Sequence, residues 1–223
     1  MITMQPLASE AAPDCGSSGL VVVSVVSHGH KHQVQGLLND LVRFSRGRIS
    51  RVVLTLNQPE AAPQPPAAGW PFALHIVRNI RPLGFGANHN RALSGAGEPF
   101  VCVLNPDVRW DGCDPLEAMV QAAAQPGVGC SYPVQIDNVG CWQDSARALP
   151  TPAALFRRRV LGQREARVDW VNAACLVLPQ PVWQRLQGFD AVSYTHLTLP
   201  TILRVYISVV AVFSNNTHFH IIY

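Results

Sequence analysis

Charge is scarce in this 223-residue chain, where 14% of residues are charged and the net charge is +3. So small a surplus, carried by scattered Lys and Arg, argues against nucleic acid as a partner. The one basic run, Arg157-Arg158-Arg159, reads as a solvated helix end. Metal-type cysteine spacing is missing too. Cys15, Cys102, Cys113, Cys130, Cys141 and Cys175 form no CxxC pair, and several sit inside apolar runs as small buried hydrophobes, which favours a reducing compartment. The chain shows no basic N-terminal region leading into a long apolar stretch, as a signal peptide would. Its longest late apolar run, Val205 to Phe213, is too short to cross a bilayer. These absences predict a cytosolic protein.

What is present is a large apolar fraction, 48%, enough for one α/β domain with a well-buried sheet. Residues 1–19 are rich in Ala, Ser, Pro and Gly and read as a loose tail. Leu20 to Val26 is a continuous β-branched run, the mark of a strand covered on both faces. Val34, Leu37, Leu38 and Leu41 follow at helical spacing. Further strands are expected at Arg51–Leu56, Ala73–Val77, Pro99–Leu104 and Val128–Tyr132. Asp114-Pro115 is expected to open a helix that ends before Gly127. Strands alternating with helices predict a doubly wound, mostly parallel sheet, which binds ligands outside the carboxyl ends of its strands. The segments at those ends are Ser27 to His30, Asn57 to Glu60, Arg78 to Asn90 and Asn105-Pro106-Asp107, all polar or glycine-rich.

The most specific of them is Arg78 to Asn90, RNIRPLGFGANHN. Gly84 and Gly86 let the backbone turn and approach a ligand closely, and Asn88 and Asn90 offer amide donors and acceptors. It is not the dinucleotide fingerprint, because Asn88 stands where a third glycine is needed. Asn105-Pro106-Asp107 puts one carboxylate after a buried strand, where it can hold a divalent cation against a diphosphate.

These segments resemble the family 2 glycosyltransferases, which pass a sugar from a nucleoside-diphosphate sugar to an acceptor hydroxyl. RNIRPLGFGANHN is similar to that family's loop beside the donor nucleotide. LNPDV is similar to its metal-binding acidic motif in the rhamnosyltransferase-like branch, with only the second carboxylate kept. Asp144, Arg147, Pro150, Thr151 and Pro152 follow in an order similar to that branch. Asp169 to Ala174, the apolar run Cys175–Leu178, and a helix stopped by Gly188-Phe189-Asp190 are similar to its acceptor side.

The resemblance implies a GT-A nucleotide-diphospho-sugar transferase fold over residues 20–191, incomplete at its C-terminal end. It implies donor contacts from Ser27, Asn57, Asn79, Gly84, Gly86, Asn88, Asn90 and Asn105. Asp107 would hold Mg²⁺ or Mn²⁺, and Trp170, Asn172 and Asp190 would face the acceptor. The implied donor is dTDP-rhamnose, with UDP- and GDP-sugars open. The implied acceptor is a saccharide or lipid-linked saccharide of the cell surface, with the enzyme at the inner face of the membrane. The family's general base is the aspartate of a Glu-Asp pair after the GFD loop, yet no Asp or Glu follows Asp190 here.

Residues 192–223 stand apart. Val192 to Thr201, VSYTHLTLPT, back-translates to a sequence resembling a transposase adapter used in sequencing libraries, and Ile207 to Val212 fits another stretch of the same adapter. The expectation is a non-native tail after about Ala191, and hence a fragment without its base. The alternative is a real β-rich tail with Ile202 to Phe213 as a strand. Two other functions remain open at this stage. One is a catalytically dead sugar-nucleotide-binding module. The other is a metal-dependent hydrolase built on His28 and His30, which would need further ligands, with His75 and His89 the histidines available beyond His32 before the tail.

Overall fold

The protein is described by a computed structural model covering residues 19–45, 47–110, 114–136, 142–143, 146–147, 170–189, 203–213 and 220–222. Strand β1, Val21–Ser27, has five valines in seven residues and is buried along nearly its whole length. It pairs in parallel with β2, Ile49–Leu56, on one side and with β4, Phe100–Leu104, on the other. Strand β3, Ala73–Arg78, extends the parallel sheet beyond β2. The far side departs from parallel. Strand β10, Cys175–Pro179, lies antiparallel to β4, and β6, Val128–Ile136, lies antiparallel to β10.

Four short strands and two late ones complete the sheets. Strand β5, Val108–Trp110, follows β4 directly, an element the turn-forming Asn-Pro-Asp sequence conceals. Strand β7, Trp142–Gln143, pairs with β6. Strands β8, Ala146–Arg147, and β9, Trp170–Asn172, form a small separate sheet with β12, His220–Ile222. Strand β11, Leu203–Phe213, lies antiparallel to β6 and parallel to β5. A β-branched run joins any open sheet edge through its backbone, whatever its origin.

Alternation along β1 divides the core. Val21, Val23 and Val25 face helices α1, Lys31–Phe44, and α3, Pro115–Ala123. Val22 faces the opposite way, toward α2, Phe85–Leu93, and α4, Gln180–Leu186. Helix α1 buries Leu37, Leu38 and Leu41 completely, each worth roughly 1.5–3 kcal/mol of burial. Helix α3 begins as its sequence predicts. Asp114 caps it by accepting from the Leu116 N–H at 3.0 Å, Pro115 follows, and Arg48 pairs with Asp114 at 3.2 Å. Cys102, Cys130 and Cys175 are free and buried, and burial pushes the Cys130 thiol up to about 12. They pack as small hydrophobes.

One polar pair crosses the second core. Ser24 of β1 and His89 of α2 meet at 2.8 Å (Oγ to Nδ1), both fully buried. Burial lowers the His89 pKa to about 3. The unfolded chain takes up a proton near pH 6.5 that the folded one refuses, so stability rises with pH between those values and falls as pH drops through them. Thermal unfolding followed from pH 7.5 to 4 is expected to show this loss, and His89→Phe is expected to flatten it.

Candidate active site at the strand carboxyl ends

Four parallel strands end side by side, and their following segments form one mouth. The Asn57 N–H donates to the Ser27 carbonyl at 2.8 Å and the Asn79 N–H to the Leu56 carbonyl at 3.1 Å, so the loops after β1, β2 and β3 stay in register beyond the sheet. Ser27 is buried, and its Oγ accepts from the His30 N–H at 3.2 Å, tightening the turn into α1.

Three of the asparagines implied as donor contacts, Asn57, Asn79 and Asn88, bond to the Leu83 backbone and to one another. Asn57 Oδ1 accepts from the Leu83 N–H at 2.9 Å and from Asn79 Nδ2 at 2.8 Å. Its Nδ2 donates to the Leu83 carbonyl and to His28 Nδ1, each at 3.0 Å. Asn79 Nδ2 also reaches Asn88 Oδ1 at 2.7 Å, Asn88 Nδ2 donates to the Leu83 carbonyl at 3.1 Å, and Arg91 donates to Asn79 Oδ1. Asn57 and Asn88 are buried. The amides therefore hold the Ile80–Gly84 loop in shape. That loop presents Ile80, Leu83 and Gly84 outward, with Gly84 at the N-cap of α2 and Gly86 buried in its first turn. A ligand here meets backbone and loop more than the asparagine side chains.

Asp107 behaves differently. It lies between β4 and β5, and its Oδ1 is buried without a hydrogen-bond partner. Desolvation raises its pKa, while its own backbone N–H and the charge of His30 pull it down. A solitary buried carboxylate oxygen is costly unless something pairs with it. Its donor chemistry suits a hard divalent cation that takes its remaining ligands from phosphate oxygens and water. The preceding Asn105 is tied through its backbone N–H to the Ala174 carbonyl at 2.8 Å. The following Arg109 grips Asp40 of α1 through Nε at 2.6 Å and Nη2 at 3.0 Å, and the Trp110 N–H donates to the same carboxylate. A Cβ on Gly36 would lie 2.4 Å from Arg109 Nη1, so the glycine makes room for this grip.

The segments that the resemblance assigns to the acceptor are partly described. Trp170 and Asn172 lie on the backbone of β9, leading into the buried Ala173-Ala174 turn and β10. Asp190 falls outside the described residues, as do the Asp144 and Pro150–Pro152 positions. Phe189 is buried among Phe85, His89 and Trp183. Asn90 bonds to the Phe189 backbone on both sides, donating to its carbonyl at 2.7 Å and accepting from its N–H at 2.8 Å. A cavity of about 200 Å³ between α2 and α4 is lined by Asn90, Leu93, Trp183 and Gln187, and by none of the strand-end residues Ser27, Asn57 or Asp107.

Among the described residues the histidine pair gathers no further metal ligands. His28 Nδ1 faces Asn57 and its Nε2 faces Gln58, while His30 Nδ1 accepts from the His28 N–H. His89 is buried against Ser24, and no group of three His, Cys, Asp or Glu gathers among the described residues.

No protein-family model matches the chain. Among solved structures it is similar to the mannosyltransferase PcManGT from Pyrobaculum calidifontis, in complex with GDP-Man and Mn²⁺. The TM-score is 0.55 at 18% identity, covering 82% of this chain and 51% of that one. It is also similar to TarS residues 1–349 of S. aureus, with a TM-score of 0.52 at 12% identity, covering 79% and 52%. The fold is therefore GT-A, the nucleotide-diphospho-sugar transferase architecture. A curated relative from Mycobacterium tuberculosis, N-acetylglucosaminyl-diphospho-decaprenol L-rhamnosyltransferase, is 28% identical over 48% of this chain and 45% of its own length. Together these findings support the resemblance to the family 2 glycosyltransferases. The chain spans about half the length of the relatives it matches.

Paired and unpaired buried polar groups respond oppositely to deletion. Asn88→Ala, which unpairs the Leu83 loop, is expected to cost about 1–3 kcal/mol. Asp107→Asn removes a desolvated charge and is expected to leave the unfolding midpoint unchanged or higher, as urea unfolding of the two variants will check.

Proposed function

We propose that the chain carries the donor-binding part of an inverting glycosyltransferase that moves a sugar, rhamnose by its branch resemblance, from a nucleoside-diphosphate sugar to an acceptor hydroxyl. The acceptor class is a saccharide or lipid-linked saccharide at the inner face of the membrane. The decaprenol-linked substrate in the name of the M. tuberculosis relative supports that class. The observation that carries the reading is the buried, unpartnered Asp107 oxygen at the mouth formed by β1 to β4.

In this reading the loop Ile80–Gly84 and the turn Ser27–His30 flank the nucleotide, and Asp107 would hold a divalent cation. A bound Mg²⁺ or Mn²⁺ supplies charge neutralisation to the leaving diphosphate. Asp107 is aimed there by its neighbours. The Asn105 backbone bond fixes one flank, and the Arg109–Asp40 pair, two residues downstream, fixes the other. Trp170, Asn172 and Asp190 belong to the acceptor side, where a carboxylate must take the proton of the attacking hydroxyl. No Asp or Glu follows Asp190 in this sequence, so Asp190 is the last carboxylate the given residues offer to that side.

Titration calorimetry with dTDP and Mn²⁺ tests the binding. Asp107→Asn is expected to weaken metal-dependent dTDP affinity by roughly tenfold or more, since even indirect support of a metal ligand is worth 10–100-fold. Equal affinity in the variant would remove Asp107 from the site.

The origin of residues 192–223 is proposed separately, as adapter-derived sequence beyond about Ala191. Sequencing the source DNA past that codon is expected to show a frame continuing into an acidic pair. Persistence of VSYTHLTLPT in genomic DNA would contradict this and favour a catalytically dead sugar-nucleotide binder.

A further inference from the structure

Helix α4 ends in an unusual way. Gln187 and Gly188 are both left-handed, at φ 58° and 77°. The Gly188 N–H reaches back to the Trp183 carbonyl at 3.2 Å, in the manner of a Schellman stop. A left-handed glutamine is disfavoured by its own Cβ, so the turn needs outside support. Asn90 of α2, 99 residues from Phe189 in sequence, supplies it with two hydrogen bonds, to the N–H and the C=O of that one residue. Gly188 is required by this contact as well as by its φ, because a Cβ there would lie 2.3 Å from Asn90 Oδ1. The Phe189 ring adds a second anchor, edge-on to Trp183 of α4 at 5.1 Å and tilted against Phe85 of α2 at 5.8 Å.

The same helix carries Asn88, two residues earlier and therefore on a different face. Asn88 faces the Leu83 loop at the donor mouth, and Asn90 faces the Gly188-Phe189 turn. Helix α2 is thus a short rigid spacer between the donor loop and the chain entering Asp190. We propose that Asn90 is a positioning residue whose carboxamide fastens the Gly188-Phe189 turn to α2, fixing the approach to Asp190 without touching the donor. The role given to Asp190 rests on the glycosyltransferase reading above, while the clasp does not.

Hydrogen exchange and dTDP binding on the full chain separate the possibilities. In Asn90→Ala the Phe189 amide is expected to exchange about tenfold faster or more, as a lost hydrogen-bond pair allows, with the amides of β1 and β4 unchanged. Asn90→Asp keeps the acceptor and loses the donor. Its Phe189 amide is expected to exchange at an intermediate rate that returns toward wild type, after correction for intrinsic exchange, once the new carboxyl is protonated. A residue important only for general stability would speed exchange throughout the sheet and show no such rescue. Metal-dependent dTDP affinity is expected to stay within twofold in both variants. Unchanged Phe189 exchange would overturn the clasp, and a tenfold loss of dTDP affinity would return Asn90 to the donor site. If the wild-type chain binds no dTDP, the donor reading fails by itself and the exchange data still decide the clasp.

Discussion

The carboxamide of Asn57 has two acceptor sites and two donor hydrogens, and the structure uses all four. The Leu83 N–H and Asn79 bond to the oxygen, and the Leu83 carbonyl and His28 take the hydrogens. Asn57 stands at the end of β2, next to the turn that closes β1. One buried amide thereby ties the loops after β1, β2 and β3 into a single rim. Without it the Ile80–Gly84 loop, which has no secondary structure of its own, would lack its inner support. The turn into α1, through His28, and the outward presentation of Gly84 both lean on that rim.

A polar rim of this kind is satisfied internally, and that is what isolates Asp107. Its neighbours on the site floor are saturated by each other, whereas its Oδ1 has no partner. Burial without a partner disfavours the charged form, a cost that the proposed cation would relieve. The Arg109–Asp40 pair shows the other arrangement. There the charge is buried with a bidentate partner and a backbone donor, and it holds β5 in place.

Much of the architecture was legible in the residues. The β-branched run of β1, the spacing of Val34, Leu37, Leu38 and Leu41, and the Asp114-Pro115 start each led to an element the structure contains, because each depends on local periodicity or capping. The candidate site was legible as a set of strand-end segments, since topology alone brings those together. What each asparagine does there was not. Asn57, Asn79 and Asn88 read as ligand donors in isolation, and only the folded loop shows them bonded to Leu83 and one another. Nothing in local spacing links Asn90 to Phe189, Asp40 to Arg109, or Ser24 to His89, at separations of 99, 69 and 65 residues. Strand β5 escaped for a related reason. Asn-Pro-Asp signals a turn, and the three residues after it pair only because β11 offers an edge. The antiparallel placement of β10 is likewise invisible in an apolar run, whose composition carries no direction.

In the proposed function a nucleoside diphosphate binds at the carboxyl ends of β1 to β4. A ¹⁵N–¹H chemical-shift map of the chain titrated with dTDP in the presence of Mg²⁺ tests it most directly. The largest shifts are expected at Ser27–His30, Asn57–Glu60, Asn79–Gly84 and Asn105–Asp107, with those at Asp107 dependent on the metal. Shifts confined to the cavity between α2 and α4, or no shifts at millimolar nucleotide, would contradict it.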